Sequence, residues 1–280
     1  MDRFVLTLRC QDRPGIVRAF ADGVVAADGN IVESHQFSDP DTGTFTMRVA
    51  VDSPADVETL RSLVEERVAP LDATVTVRPE AQRRRIVILV SKFDHCLVDL
   101  LYRHQIGELP VDIPVVVSNH ETARNLVEQQ GIPFVHIPVS PETKPEAEAQ
   151  LLDLVRQHDA DFVVLARYMQ VLSDSLCREL SGRVINIHHS FLPGFKGAKP
   201  YHRAHERGVK LIGATAHYVT ADLDEGPIIE QDVVRVSHTA TVADLVAMGR
   251  DVERLVLSRA VRRHAEDRVL LVGARTIVFD

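Results

Sequence analysis

Residues 184–230 read VINIHHSFLPGFKGAKPYHRAHERGVKLIGATAHYVTADLDEGPIIE, and this stretch decides how the second half of the chain folds. Two apolar runs within it, 184–187 and 213–219, predict buried strands. On both sides of the stretch, strand patterns alternate with helical patterns, which is typical of a parallel sheet covered by helices. The sequence therefore predicts an α/β domain with a doubly wound, mostly parallel, Rossmann-like sheet over residues 86–280.

Three polar side chains follow these two predicted strands. Asn186 and His188 lie at the end of the first strand, and Asp224 lies in a polar turn after the second, just before Gly226 and Pro227. Ligands of open α/β sheets bind beyond the carboxyl ends of strands. Because the two strands are expected to be neighbours, their ends should bring the three side chains together.

These residue types suit attack on a small carbonyl group. An Asn amide donates to a developing oxyanion, a His exchanges a proton near neutral pH, and an Asp orients water or the imidazole. No G-x-S-x-G motif occurs in the chain, so a covalent acyl-enzyme is not expected. The attacking group is then water or a substrate amine.

The first 80 residues show a different order of elements. Strand and helix patterns alternate there as βαββαβ, with turns at D-R-P-G and at D-P-D-T-G. This order is the ferredoxin-like arrangement. We therefore expect two domains, residues 1–80 and 86–280, joined by a linker at residues 81–85.

Composition excludes several classes of protein. The chain has 280 residues, of which 45% are hydrophobic, and its apolar runs are too short to span a membrane. The net charge of −8 argues against nucleic-acid binding, which requires clustered Lys and Arg. The N-terminus lacks a secretory signal pattern, and the 3 cysteines show no C-x-x-C spacing. We expect a cytoplasmic protein without disulfides.

Four motifs of the second half carry a resemblance to a known family. They are N-x-H at 186–188, S-F-L-P at 190–193, G-A-T-A-H-Y-V at 213–219 and L-D-E-G-P-I-I at 223–229. Together they resemble the folate-dependent formyl-transfer superfamily. Within it the chain is similar to the hydrolytic, deformylase branch, because His188-His189 replaces the His-Pro of glycinamide ribonucleotide transformylases and F-x-G-A-x-P-Y-H at 195–202 matches the deformylase loop.

The loop after the first strand of this domain supports the same branch. Transformylases that act on a nucleotide have a Gly-rich turn there, whose N–H groups hold a phosphate. This chain has Ser-Lys-Phe-Asp-His at residues 91–95 instead. Phe93 and Asp94 prevent close backbone approach and add a negative charge, so water is the expected acceptor.

The resemblance implies hydrolysis of 10-formyltetrahydrofolate to formate and tetrahydrofolate, which supplies formate for purine synthesis and balances one-carbon pools. Folate is then the substrate, and no cofactor is expected. No metal site is expected either, because His202 and His205 find no carboxylate or Cys to complete a familiar ligand set. Two alternatives remain open, namely a formyltransferase acting on an amine and a folate sensor without turnover.

The resemblance also implies roles for individual residues. Asn186 and a protonated His188 hydrogen-bond the formyl oxygen, while Asp224 orients the attacking water. Main-chain groups of residues 169–172 hold the pterin ring. The residues expected to contact the substrate are Met169, Gln170, Val171, Leu172, His189, Gly194, Lys196, Asp222 and Gly226.

The N-terminal motifs D-R-P-G-I-V at 12–17 and A-A-D-G-N-I at 26–31 resemble an ACT domain. The resemblance implies regulation by a small amino acid, with glycine and methionine as candidates, and a homo-oligomer, since ACT domains usually pair. The residues expected to line the effector site are Asp12, Arg13, Gly15, Ile16 and Asn30. The alternative is that the Pro-Gly pair only shapes the turn and the domain only dimerises.

Overall fold

The computed structural model describes residues 1–194 and 200–280, and these residues form two compact units. The first unit comprises Met1–Arg83 together with Glu266–Asp280, and the second comprises Arg84–Ala265. Within the described parts of the chain, no helix combines the length and the apolar character needed to cross a membrane.

The first unit begins with the βαββαβ order that the sequence predicts. Its elements are β1 (Asp2–Gln11), α1 (Ile16–Ala26), β2 (Asn30–Asp39), β3 (Thr44–Ser53), α2 (Val57–Val68) and β4 (Thr74–Pro79). The strands form one sheet in the order β2-β3-β1-β4, with antiparallel neighbours. Helices α1 and α2 approach closely at Gly23, where a Cβ atom would lie 2.7 Å from Val64 Cα.

The C-terminal hairpin belongs to this first unit, although the sequence predicts it within residues 86–280. It consists of β12 (Val269–Val272) and β13 (Arg275–Val278). Ion pairs hold it there: Arg78 Nη2 lies 2.6 Å from Asp267 Oδ2, and Arg268 Nη2 lies 2.9 Å from Glu33 Oε1. These partners come from charged positions spread over the chain, which show no local pattern that assigns the hairpin to a unit.

Glu33 remains ionised in this cluster. Burial opposes its charge, but hydrogen bonds from His35 and Arg268 and the positive charges of Arg268 and Arg48 lower its pKa to about 2. The Glu33 carboxylate thus joins β2 to β3 and to the C-terminal segment. It accepts hydrogen bonds from Arg48 on β3 at 3.1 Å and from Arg268 at 2.9 Å.

The second unit contains one sheet of seven strands with helices between them. Its elements are β5 (Arg84–Val90), α3 (His95–Gln105), β6 (Val111–Ser118), α4 (Arg124–Glu128), β7 (Phe134–His136), α5 (Lys144–Gln157), β8 (Phe162–Leu165), α6 (Asp174–Glu179), β9 (Val184–His188), α7 (Pro200–Glu206), β10 (Leu211–Tyr218), β11 (Ile228–Arg235) and α8 (Val242–Ala265). The strand order is β11-β10-β9-β8-β5-β6-β7. β5 starts at Arg84, so the predicted linker at residues 81–85 overlaps the first strand of this unit.

The mostly parallel α/β prediction is confirmed for this sheet. β9, β8, β5, β6 and β7 pair in parallel. The central strand β5 contains the uninterrupted apolar run IVILV, and all five side chains are buried. Such a run is typical of a strand that is covered on both faces.

One strand runs against this pattern. β10 pairs antiparallel with β9 and also antiparallel with β11. The carboxyl end of β10 therefore lies beside the amino end of β9. The expectation that both strands end at the same edge of the sheet was wrong for this pair.

Candidate active site

Strand β9 presents Asn186 and His188 on one face, because side chains two residues apart in a strand point to the same side. The strand lies between β8 and β10. His188 is its last residue, and its side chain is buried. The strand thus delivers an amide and an imidazole to the same part of the sheet.

Asp224 reaches His188 by a different route from the predicted one. At the carboxyl end of β10, Val219 N donates to Val184 O over 2.9 Å, at the start of β9. The loop 219–227 then returns toward the other end of β9, where Asp224 Oδ1 lies 3.2 Å from His188 Nδ1. Asp224 has a φ of 58°, which is uncommon for a residue other than Gly. A returning loop, rather than adjacent strand ends, brings the carboxylate to the imidazole.

Gly226 allows this loop to close. Tyr218 N donates to Pro227 O over 2.9 Å, and a Cβ atom at position 226 would lie only 1.7 Å from Tyr218 O. Any side chain there forces the two backbone segments apart. The sequence predicts that Gly226 contacts the substrate, but it does not line the cavity that contains His188 and Asp224. Its structural role is the close approach of two backbones.

His217 fixes the orientation of the Asn186 amide. His217 Nδ1 donates to Tyr218 O over 2.9 Å, so Nε2 is the acceptor, and Asn186 Nδ2 donates to it over 3.2 Å. Burial lowers the pKa of His217, which keeps the imidazole neutral in this tautomer. One amide N–H of Asn186 is used in this bond, and the other remains to meet a ligand.

Asp224 orients His188. The hydrogen bond from His188 is the main cause that lowers the pKa of Asp224, against the opposing effect of burial, so the carboxylate is ionised. The other ring nitrogen, His188 Nε2, is buried and has no hydrogen-bond partner among the described residues. An unsatisfied buried polar atom in a native protein requires an explanation, and a ligand supplies one here.

A cavity of about 240 Å³ opens beside these side chains. The three candidate catalytic residues line it, together with six predicted substrate contacts, namely Met169, Gln170, Val171, Leu172, His189 and Asp222. Gly194 lines a neighbouring cavity of about 390 Å³ instead. Lys196 lies outside the described residues, as does most of the loop motif at 195–202.

The segment after β8 forms one wall of this cavity. Met169 N donates to Ser91 Oγ over 2.9 Å, and Ser91 Oγ donates to Asn119 Oδ1 over 2.6 Å. These bonds hold the 167–172 segment against the residues that follow β5 and β6. Ser173 also caps helix α6, since its Oγ accepts from Leu176 N. Residues 169–172 therefore both line the cavity and lead into a helix.

Sequence reasoning missed two important lining residues. The sequence assigns His217 no catalytic role, although it lies opposite Asn186 in the β9–β10 register. Arg167 is not among the residues expected to contact the substrate, although it lines the same cavity and has a left-handed φ of 64°. A correct antiparallel pairing of β9 with β10 would have identified His217, whereas no sequence pattern predicts the backbone strain at Arg167.

His189 is held as a neutral ring beside His188. Burial, with a further contribution from the charge of Arg167, lowers the pKa of His189 to about 4. Its ring stacks on His188, with centroids 5.1 Å apart, and lies 6.2 Å from the ring of Tyr201. The His189 ring is therefore uncharged at neutral pH.

Glu253 on α8 forms the centre of a buried polar cluster. Its carboxylate accepts from His95 Nε2 over 2.8 Å and from Tyr201 Oη over 2.6 Å, and lies 3.5 Å from Arg167 Nε. Burial opposes ionisation of Glu253, but its partners His95, Arg167 and Tyr201 lower the pKa. Cys96 completes a set of three possible metal ligands within 4.8 Å. Burial raises the pKa of the Cys96 thiol well above its usual value.

The residues predicted for the effector site lie in the first unit. Gly15 precedes α1 with a φ of 95°, and no side chain caps this helix start. Asp12 accepts from Ser38 Oγ, and Arg13 Nη2 donates to Pro70 O over 3.1 Å. Ile16 begins α1 with its side chain buried in the core, whereas Asn30 is exposed at the start of β2.

Comparison with known proteins identifies related sequences over the whole chain. The sequence model of the formyl transferase family, described as "Formyl transferase", matches residues 84–261. A formyltetrahydrofolate deformylase from Corynebacterium sp. (strain P-1) is 55% identical over 280 residues, covering 99% of this chain and 98% of the relative. The matched family region contains every candidate catalytic residue.

Solved structures give the same grouping. A formyltetrahydrofolate deformylase from Pseudomonas syringae superposes with a TM-score of 0.97 at 48% identity, over 100% of this chain and 95% of the other. Glycinamide ribonucleotide transformylase 1 from Symbiobacterium toebii superposes with a TM-score of 0.66 at 32% identity, over 71% of this chain and 95% of the other. The similarity to the deformylase thus extends over more of the chain than the similarity to the transformylase.

Proposed function

We infer the function from one premise, which is that this chain belongs to the formyl transferase family. We propose that it hydrolyses 10-formyltetrahydrofolate to formate and tetrahydrofolate. The observation that carries the proposal is the contact of Asp224 with His188 Nδ1 beside a cavity, with His188 Nε2 unpartnered among the described residues. The deformylases that are 44–55% identical over nearly the whole chain support the same reaction.

The proposed mechanism uses side chains whose positions are fixed by hydrogen bonds. Asp224 Oδ1 holds His188 Nδ1, and the ionised carboxylate stabilises a second proton on Nε2, which then donates to the formyl oxygen. The free N–H of Asn186 donates to the same oxygen. Both hydrogen bonds strengthen as negative charge develops on that oxygen, and each lowers the activation free energy by about 3 kcal/mol.

Water is the proposed nucleophile. Asp224 orients it and takes part of its proton while the water oxygen attacks the formyl carbon. The tetrahedral intermediate collapses when the bond between carbon and N10 breaks and N10 receives a proton. Formate leaves with one oxygen from the formyl group and one from water. No metal or other cofactor enters this scheme.

The cavity size supports partial enclosure of the substrate. Pockets that enclose a drug-sized ligand measure roughly 300 to 1,000 Å³, whereas this cavity measures about 240 Å³. It therefore suits the formyl group and the adjoining ring system, with the rest of the folate outside. Residues 169–172 and Asp222 are proposed to contact the pterin.

One assay tests the reaction. The protein is incubated with 10-formyltetrahydrofolate in water enriched in oxygen-18, with no amine added, and formate is collected. We expect formate carrying one oxygen-18 atom and an equal amount of tetrahydrofolate. Formate transfer only in the presence of an amine would indicate a transferase, and binding without any product would indicate a sensor.

We propose further that the first unit is an ACT domain that binds an amino acid and pairs in a homo-oligomer. Its strand order β2-β3-β1-β4 supports the domain assignment. The uncapped start of α1 behind Gly15 supports carboxylate binding, because its N–H groups lack side-chain partners. Glycine and methionine are the first effectors to test, by calorimetry, together with the molar mass from light scattering.

Gly226 offers a test of the returning loop. We expect Gly226→Ala to lower the rate of formate release at least about tenfold, because the displaced loop moves Asp224 away from His188. Gly23→Ala is the matched control, since its Cβ would lie 2.7 Å from Val64 Cα, a comparable backbone clash, within the first unit and away from the cavity that Asp224 lines. Turnover and thermal unfolding are measured for both variants. If both variants lose the same fraction of turnover at the same loss of thermal stability, a local role of Gly226 at the active site is contradicted.

A further inference from the structure

Arg167 follows β8, the strand next to the one that carries His188, and lines the same cavity. β8 pairs in parallel with β9, with Leu165 opposite Asn186, and Arg167 is the second residue after the end of β8. Arg167 also lines the cavity that contains His188 and His189. Among the described residues that line this cavity, it is the only Lys or Arg.

The Arg167 side chain has unused hydrogen-bonding capacity. The residue is 9% exposed, and neither Nε nor Nη1 has a hydrogen-bond partner among the described residues. Its nearest charged neighbour is Glu253, whose Oε2 lies 3.5 Å from Nε, beyond a good hydrogen bond. Leaving buried donors of a charged group unpaired costs more than the average hydrogen bond contributes, so a ligand for them is expected.

Two groups lie next to the guanidinium. Glu253 is 1% exposed and is itself held by His95 and Tyr201. The ring of Phe93 lies 5.6 Å from Arg167 Cζ. The left-handed φ of 64° at Arg167 adds backbone strain, which persists where the surroundings enforce it and is frequent at functional sites. Arg167 is therefore a buried positive charge at the wall of the cavity.

The proposed hydrolysis creates a need for such a charge. Breakage of the bond between carbon and N10 converts a neutral formamide and water into a formate anion. Of the two protons of the water molecule, one goes to N10 and the other is released to solvent. The anion forms beside the ionised Asp224, which repels it. The neutral His189 supplies no compensating charge. A planar guanidinium binds a carboxylate through two parallel hydrogen bonds.

We propose that Arg167 is a product-binding residue, whose guanidinium receives the formate carboxylate through Nη1 and a second N–H as the tetrahedral intermediate collapses. The inference rests on the proposed hydrolysis, which it deepens by assigning an anion subsite to the part of the cavity wall that Arg167 forms. Small planar anions of formate size are the class of ligand that fits this subsite.

The test measures formate binding directly. Carbon-13 formate is titrated against protein saturated with tetrahydrofolate, without oxygen, and its line width is followed by NMR. We expect Arg167→Gln to weaken formate binding at least about tenfold. Arg167→Lys should weaken formate binding less, because a Lys keeps the positive charge but loses the two-point contact. Tetrahydrofolate affinity should change less than about twofold in both variants, since the pterin contacts lie elsewhere.

Arg250→Gln is the matched control. Arg250 Cζ lies 5.7 Å from the centroid of the Phe93 ring, a distance similar to the 5.6 Å of Arg167 Cζ. Unlike Arg167, Arg250 is exposed and does not line the cavity. Its formate affinity should equal that of the unmodified protein. Should Arg167→Gln fail to fold, Arg167→Lys decides, since an unchanged formate affinity in that variant overturns the proposal.

The outcomes separate this inference from the proposed function. If formate binding depends on Arg167 but the protein releases no formate from 10-formyltetrahydrofolate, the anion subsite is supported and the proposed hydrolysis is wrong. If the protein releases formate but the Arg167→Gln variant binds formate normally, the hydrolysis is supported and the proposed subsite is wrong. A purely structural role of Arg167 predicts lower thermal stability with unaltered formate affinity, which also overturns the inference.

Discussion

Replacement of Asp224 by Asn is expected to lower turnover of 10-formyltetrahydrofolate by a factor of about 10² to 10³. The neutral amide accepts no proton from water, and it does not stabilise a positive charge on His188, whose Nδ1 lies 3.2 Å from the native carboxylate. The isosteric change leaves the backbone of the loop intact. Affinity for tetrahydrofolate, measured by calorimetry, should therefore stay close to that of the unmodified protein while the rate of formate release falls.

Glu225→Gln serves as the control for this change. Glu225 is exposed, follows Asp224 in the same loop and does not line the cavity. Its replacement should alter turnover less than about twofold, as is usual for surface positions. Turnover preserved in Asp224→Asn would remove this carboxylate from the mechanism, whatever the control shows.

Replacement of Asn186 is expected to have the second largest effect. Asn186→Ala removes one donor to the formyl oxygen, worth about 3 kcal/mol or roughly 10²-fold in the rate of the chemical step. Asn186→Asp should be slower still, because a carboxylate repels the developing oxyanion. Single-turnover measurements of formate release in both variants give these rates directly.

The order of the two variants is the sharper part of this prediction. His217 Nε2 accepts from the native amide at 3.2 Å, so both changes also alter its surroundings. A role limited to holding His217 predicts similar rates in the Ala and Asp variants, together with a loss of stability. An Ala variant with full activity would contradict oxyanion stabilisation by Asn186.

Much of the second unit could be predicted because its signals are local. The buried run of β5, the motif around Asn186 and His188, and the Asp-Glu-Gly-Pro turn are each readable within a few residues. The direction of β10 cannot be read from a few residues, because the apolar pattern of a strand is the same whichever way the strand runs. The loop carrying Asp224 therefore had to be seen in the structure before its path was known.

Glu253 and Arg167 show a second reason for incomplete prediction. Glu253 lies within a long amphipathic helix, where a single acidic residue gives no sign of burial. Its partners come from α3, α7 and the segment after β8, so the cluster exists only after the chain has folded. Pair interactions between distant segments leave no periodic pattern in a single sequence.

The attachment of the C-terminal hairpin to the first unit has a consequence for biosynthesis. The N-terminus of a chain emerges first from the ribosome, and domains generally fold in the order in which they emerge. Residues 1–83 are therefore made long before Glu266–Asp280, and Glu33 stands without Arg268 until translation has passed the whole of Arg84–Ala265. A nascent chain stalled before residue 266 should expose this acidic partner and the adjoining sheet surface to chaperones.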